Sequence, residues 1–271
     1  MDKAGEQFWT QFWQGKRLPP PIQVSGRGPR AWFYQEFHHL WQGHLPGVTS
    51  KPLRLLEIGC ALSRWLPYFA RQWGYEVAGL DYSELGCAQS RALLTRENVS
   101  GEIFHQDMFS PDPRLLESFD LVLSNGVVEH FEDPAITLSQ MAAFIKPGGL
   151  VLTIVPNFTG WLGRFQALVS PEFMAVHTPL HRESLAQAHL GAGLHVRFCE
   201  YLAFLHFSVV NPGSRWRGWP RNCFFKGLKG ATALSSSLRR MCPELPLDQR
   251  TAGFIVCIAE KSPGGKPPVS G

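Results

Sequence analysis

Leu55-Leu56-Glu57-Ile58-Gly59-Cys60-Ala61-Leu62-Ser63 reads as an apolar run that ends in a carboxylate and turns through small residues. Residues 53–58 have the length and apolar character of a buried strand, and a helical pattern covers 62–73. A strand that hands over to a helix through small side chains lets the backbone approach a ligand, where a longer side chain would intervene. By itself such a loop is equally a tight turn. Its meaning depends on what flanks it.

Outward from this stretch, short apolar runs alternate with helical ones. Strands are expected at 75–80, 102–105, 119–124 and 150–155, and helices at 83–97 and 136–145. Lys146-Pro147-Gly148-Gly149 reads as a turn. Alternation of this kind, with strands apolar on both faces, predicts an α/β fold with a parallel sheet covered by helices. Upstream, Phe8, Trp9, Phe12 and Trp13 fall on one face of a short helix that Pro19-Pro20-Pro21 ends. Trp32, Phe33, Phe37, Leu40 and Trp41 mark a second helix. Residues 1–50 are thus expected to form an N-terminal helical cap on a domain spanning 51–271. After 156 the period breaks into an insertion over 157–193, with a helix from 179 to 189 and Thr178 as its N-cap. Strands at 194–207 and 253–259 then flank a basic, Trp-rich segment at 211–250.

Composition limits the function. The 271 residues are 44% apolar, close to the globular average of about 45–50%, which excludes wholesale disorder. No apolar run approaches the ~20 residues of a membrane-spanning helix, and the N-terminus has no basic-then-apolar pattern. Six separated cysteines form no C-x-x-C pair, which excludes a zinc ribbon and suits free thiols in the cytoplasm. The formal charge of +4 is too weak to argue for nucleic acid. It is uneven, though: residues 204–250 hold eight Lys or Arg against Glu244 and Asp248. A solvated lid is the plain reading of that stretch, with recognition of an anionic acceptor next.

Two further carboxylates give the opening stretch a chemical sense. Asp81 follows the second strand and is placed to accept both hydroxyls of a ribose, although Asp81 and Glu84 also form a helix-capping pattern. Asp107 follows the third strand, where it can accept from an adenine amino group while Met108 covers the ring. Glu57-Ile58-Gly59-Cys60, Gly79-Leu80-Asp81-Tyr82-Ser83, Gln106-Asp107-Met108, Phe119-Asp120-Leu121-Val122, Glu129-His130 and Lys146-Pro147-Gly148-Gly149 together resemble class I S-adenosylmethionine-dependent methyltransferases in order and spacing. The likeness covers roughly 52–200 and the closing strand. It implies a Rossmann-like, seven-stranded, mostly parallel sheet with the last strand antiparallel and helices on both faces. It also implies S-adenosylmethionine as cofactor. Glu57, Gly59, Cys60, Ala61 and Ser63 would pass its methionine part, Asp81 with Tyr82 and Ser83 its ribose, and Asp107 and Met108 its adenine. Asn125, after the fourth strand, would lie where cofactor and acceptor meet. Ala61 and Ser63 replace the family's usual glycines, a change that motivates a rival reading as a non-catalytic binding or scaffold domain.

For the transfer itself, alignment with the sulfonium methyl dominates and a base assists. His130 is the first candidate base; His177 and His181, in the insertion, are the others. Ubiquinone-pathway O-methyltransferases carry E-x-x-E-H at this place as a metal site; here Gly126 replaces the first Glu, so no metal is expected. The run Ser124-Asn125-Gly126-Val127 does not match the Asn-Pro-Pro-Tyr of amino-methylating enzymes. The missing G-x-G-x-x-G argues against a nicotinamide enzyme. The expected acceptor is a small molecule, methylated at oxygen, with no nucleic-acid partner; the oligomeric state stays open.

Overall fold

The computed structural model describes residues 2–47, 50–213, 216 and 218–264. Its seven strands are β1 (Arg54–Ile58), β2 (Glu76–Asp81), β3 (Gly101–His105), β4 (Phe119–Asn125), β5 (Ile145–Pro156), β6 (Leu194–Phe204) and β7 (Ala252–Lys261). They form one sheet in the order β3-β2-β1-β4-β5-β7-β6. Strands β1 to β5 pair in parallel, and β7 runs antiparallel between β5 and β6. The expected sheet is the observed one.

The helices are α1 (Glu6–Trp13), α2 (Pro29–His44), α3 (Trp65–Trp73), α4 (Glu84–Arg96), α5 (Pro134–Ala143), α6 (Trp161–Val169), α7 (Pro171–Ala175), α8 (Arg182–Gly191) and α9 (Gly218–Met241). Because successive strand residues face opposite sides, Leu55 and Leu121 enter one core while Leu56 and Val122 enter the other. The first core is closed by Phe37, Trp41, Trp65 and Phe69 from α2 and α3. The second is closed by Leu138 and Met141 from α5 and Leu185 from α8. Helix α2 therefore packs into a layer of the sheet, with Trp41 wholly buried, whereas α1 contributes no buried residue.

Several boundaries differ from the sequence reading. The turn expected at 146–149 lies inside β5, whose register shifts opposite Phe119–Leu121 while Gly148 takes φ 80°. Helix α3 starts at Trp65 because Leu62 is left-handed, at φ 53°. Thr178 does not cap α8. Its N–H donates to the Glu129 carbonyl and its hydroxyl to the Phe131 carbonyl, so the helix begins only at Arg182, capped by His181. The 211–250 segment, expected as irregular, contains α9. Its Leu228 and Phe225 pack with Phe158, Leu162 and Val210 into a third, smaller core. Arg215 and Arg217 of the basic motif lie outside the described residues. Among the described residues no helix is long and apolar enough to cross a membrane.

Candidate active site

Strand order reverses between β1 and β4, and the crevice at the carboxyl ends of these strands is where open α/β sheets bind ligands. A cavity of about 1680 Å³ opens there. Its wall on the sheet side holds Glu57, Gly59, Ala61, Ser63, Asp81, Tyr82, Asp107, Met108, Asn125 and His130, ten of the residues singled out from sequence. Cys60, Ser83, His177 and His181 are not among its lining residues.

The turn after β1 is set by its backbone. Gly59 N–H and Cys60 N–H both donate to the Leu80 carbonyl, at 2.8 and 3.4 Å. Gly59 sits at φ 72°, and a Cβ there would lie 2.5 Å from Val127 Cγ2, so only glycine fits. Ala61 and Ser63 are not among the left-handed residues; Leu62, between them, is. The departures from glycine therefore carry no backbone strain. Room for the Ala61 methyl comes from Gly86 on α4, where a Cβ would stand 2.8 Å from it.

Asp81 ties this turn to the next. Its Oδ2 accepts from Ala61 N–H at 3.0 Å and its Oδ1 from Ser83 N–H at 2.9 Å. The capping role belongs to Ser83, whose hydroxyl accepts from Gly86 N–H. Each Asp81 oxygen keeps a lone pair for a ligand. Tyr82 donates its hydroxyl to Asp2 Oδ2 at 2.7 Å, and Asp107 Oδ1 accepts from Phe109 N–H at 3.0 Å. Cys60 is wholly buried, and burial holds its thiol well above the usual range. Glu57 is also buried, and its Oε2 has no hydrogen-bond partner among the described residues. Burial pushes its carboxyl up to about 8, against the opposing Ser63 hydroxyl.

His130 Nδ1 lies 2.9 Å from the Val176 carbonyl. A carbonyl only accepts, so Nδ1 carries the proton and Nε2 the lone pair. Burial lowers His130 to about 4, which keeps it neutral at physiological pH. The Trp9 ring meets it edge-on at 4.6 Å, and His177 lies 4.3 Å away between ring centroids. His177 Nδ1 donates in the same way to the Phe173 carbonyl at 2.7 Å, and burial takes it down to about 3. The third member is Glu129, missed as a site residue by the sequence reading. It is buried with Oε2 unpartnered, and burial pushes it up to about 8. One ligand-type atom from each of the three lies within 4.8 Å of the others. The 3.9 Å between His130 Nε2 and Glu129 Oε1 exceeds the roughly 3.3 Å that ligands at 2.0–2.1 Å keep around a tetrahedral ion. That spacing is wider than a tetrahedral zinc site, while the three groups together could hold a metal ion of another geometry; no step is routed through one. His181 lies elsewhere. It is the N-cap of α8, accepting from Ser184 N–H at 3.1 Å.

The rest of the cavity is built by segments outside the strand-helix alternation. Trp9, Trp13, Lys16, Phe33 and Tyr34 come from the N-terminal segment, and Phe225, Leu228 and Lys229 from α9. Arg64, following the β1 turn, also lines it. Lys16 and Arg64 carried no sequence signal of their own, since a lone cation near an aromatic is unremarkable.

A seven-stranded sheet with a reversed last strand, and acidic residues at the ends of β1, β2 and β3 around one crevice, define the class I methyltransferase architecture. A family model described as a methyltransferase domain matches residues 33–197, and the chain belongs to the class I S-adenosylmethionine-dependent methyltransferase family. Among its relatives is a ubiquinone biosynthesis O-methyltransferase of Bradyrhizobium sp. (strain ORS 278). It is 34% identical over 122 residues, 45% of this chain and 47% of that protein. The enzyme of the same name from Rhodopseudomonas palustris (strain BisA53) is 33% identical over 129 residues, again 45% and 47%. The chain spans about half the length of the curated relatives it matches. Two solved structures share the fold. The [4+2]-cyclase SpnF has a TM-score of 0.61 at 14% identity, over 97% of each chain. Geranyl diphosphate C-methyltransferase from Streptomyces coelicolor A3(2) has 0.60 at 11% identity, over 94% of this chain and 97% of that one.

Proposed function

We propose that this protein transfers a methyl group from S-adenosylmethionine to an oxygen of a small-molecule acceptor. The observation that carries the reading is the convergence of Glu57, Gly59, Asp81 and Asp107 on one wall of a cavity far larger than a single ligand needs. Drug-sized pockets span about 300–1,000 Å³, against about 1680 Å³ here. The residues fit the cofactor. The bare backbone at Gly59 and the small Ala61 and Ser63 permit close approach, with Cys60 contributing main chain only. The unpartnered Glu57 Oε2 faces the cofactor's positive charge, and Arg64 its carboxylate. Asp81 takes the ribose hydroxyls, helped by Tyr82 and by Ser83, which holds the head of α4. Asp107 takes the adenine amino group, and Met108 the ring face.

When bound, S-adenosylmethionine supplies an electrophilic methyl group on a sulfonium. The chain's own part is alignment, exclusion of water and removal of one proton. His130 Nε2 accepts that proton from the acceptor hydroxyl. Its Nδ1–H, fixed on the Val176 carbonyl, sets the tautomer and the ring plane. His177 and Trp9 pack against the ring and position it. Helix α1 closes the cavity, tied down by the Thr10–Ser83 hydroxyl pair at 3.0 Å and by Gln89 Nε2 donating to the Trp13 carbonyl at 3.0 Å. Oxygen as the acceptor atom is supported by the names of the curated relatives and by this neutral base. The six free cysteines support a cytoplasmic location.

Calorimetric titration with S-adenosylhomocysteine, on wild type and Asp81→Ala, tests the reading. Micromolar binding lost in the variant is the expected result. A folded wild type that binds nothing would leave the scaffold reading in its place.

A further inference from the structure

The charges lining the cavity are sorted by position. Its carboxylates are Asp2, Glu57, Asp81, Asp107 and Asp133. Glu57 and Asp81 stand at the ends of β1 and β2, Asp107 and Asp133 follow β3 and β4, and Asp2 is bonded to Tyr82 beside them. They suit a cofactor bearing a sulfonium and an ammonium. The wall built by the N-terminal segment and α9 carries the opposite sign. Lys16, Arg17, Arg30 and Lys229 line it; the N-terminal acid in the lining, Asp2, is held by Tyr82 on the sheet side, where Arg64 is the cation. The surface between these cations is apolar, made by Ile22, Phe33, Phe225, Leu228 and Phe254.

Lys16 is the most perturbed cation of this wall. Its Nζ lies 3.1 Å from the Phe12 ring centroid and 4.4 Å from that of Trp13. It is half-buried, and the second charge near it is the like charge of Arg221. Among the described residues it has no carboxylate partner. Burial, and then Arg221, bring its ammonium down to about 7. A cation taken partly out of water without a counter-ion is costly, and an anion delivered to it is bound with corresponding strength.

Resting on the methyltransferase reading, we propose that the acceptor is an amphiphilic anion. An apolar body lies along Phe33, Phe225, Leu228 and Phe254, and a carboxylate or phosphate head sits against Lys16 and Lys229. The head anchors the acceptor on the N-terminal and α9 wall of the cavity and leaves its hydroxyl toward His130.

The test uses the full chain saturated with S-adenosylhomocysteine and three probes that share one alkyl body: decyl phosphate, decanoate and 1-decanol. Calorimetry should show at least one anion bound on the order of tenfold tighter than decanol, as expected for a hydrogen bond to a charged group. Decyl phosphate ahead of decanoate identifies a phosphate head, and the reverse order a carboxylate. Lys16→Met should close the gap to decanol, and Lys16→Arg should keep it, with unchanged S-adenosylhomocysteine affinity reporting that both variants are folded. Decanoate stays ionised above pH 6, so its affinity should fall several-fold as pH rises through Lys16's value of about 7. Decanol binding as tightly as both anions, or Lys16→Met weakening all three probes alike, overturns the proposal while leaving the cofactor site standing. Failure of the wild type to bind S-adenosylhomocysteine sinks both.

Discussion

Glu57 lies in β1 between Leu56 and Ile58, paired with Gly79 and Leu123, and it keeps one oxygen without a partner. A carboxyl raised to about 8 by burial is protonated at neutral pH. A positively charged ligand arriving beside it favours the ionised form. S-adenosylmethionine binding near pH 7 should therefore release a proton, seen as a binding enthalpy that varies with the buffer's ionisation enthalpy. Glu57→Gln should abolish that dependence. At Gly59 the constraint is steric. Gly59→Ala forces a left-handed alanine against Val127 Cγ2, which should cost about 1–3 kcal/mol in denaturant unfolding and weaken cofactor binding further. Both residues were legible in the sequence, because Asp81 and Asp107 after the next two strands gave the small-residue turn a ligand to face. Glu129 was not. Its significance depends on His177 folding back beside it from the insertion, and no local pattern announces a contact across that distance.

At the scale of elements, α1 and α2 look alike in sequence but do different work. Helix α2 drives Phe37 and Trp41 into the core, so Trp41→Ala should cost about 3–5 kcal/mol. Helix α1 has no fully buried residue and is held by half-buried aromatics, Trp9 on His130 and Phe12 near Phe173, with hydrogen bonds to Ser83 and Gln89. Removing residues 2–14 should lower the melting temperature by only a few degrees, because no fully buried residue is lost, and weaken S-adenosylhomocysteine binding by about tenfold or more, since several hydrogen bonds and the cavity's cover are lost together. Periodicity found both helices but could not rank them, because aromatic residues at helical spacing describe a face and not what covers it. Helix α9 was missed for a related reason. Gly218, Gly227, Gly230 and the run Ser235-Ser236-Ser237 lower its intrinsic propensity, and the helix is held by tertiary packing of Phe225 and Leu228 on the third core. Thr178 and Pro179 had the local signature of a helix start, yet the bonds from Thr178 to Glu129 and Phe131 outweighed it.

For the molecule as a whole, the buried titratable groups set the pH range of stability. His130, His189 and His206 are each lowered to about 4, and His177 to about 3, all chiefly by burial. Their folded values lie below the unfolded value near 6.5. The stability they contribute is complete above that pH and is lost as pH falls toward 4. Glu57 and Glu129 act in the opposite sense. Raised to about 8, their contribution is complete below about 4.5 and is lost as pH rises through 8. Denaturant unfolding of the ligand-free protein should show a maximum near pH 6.5, and Glu129→Gln should flatten the alkaline side.

The sheet order carries one more implication. Strand β7 occupies the position between β5 and β6, so the strand made last is an interior one. While the ribosome is still translating α9, β5 and β6 have each emerged without the neighbour that joins them. Their apolar faces and open edges are then free to pair wrongly. The final closure of the sheet waits for Lys261, and chaperone dependence in the cell should be concentrated in the interval before β7 emerges.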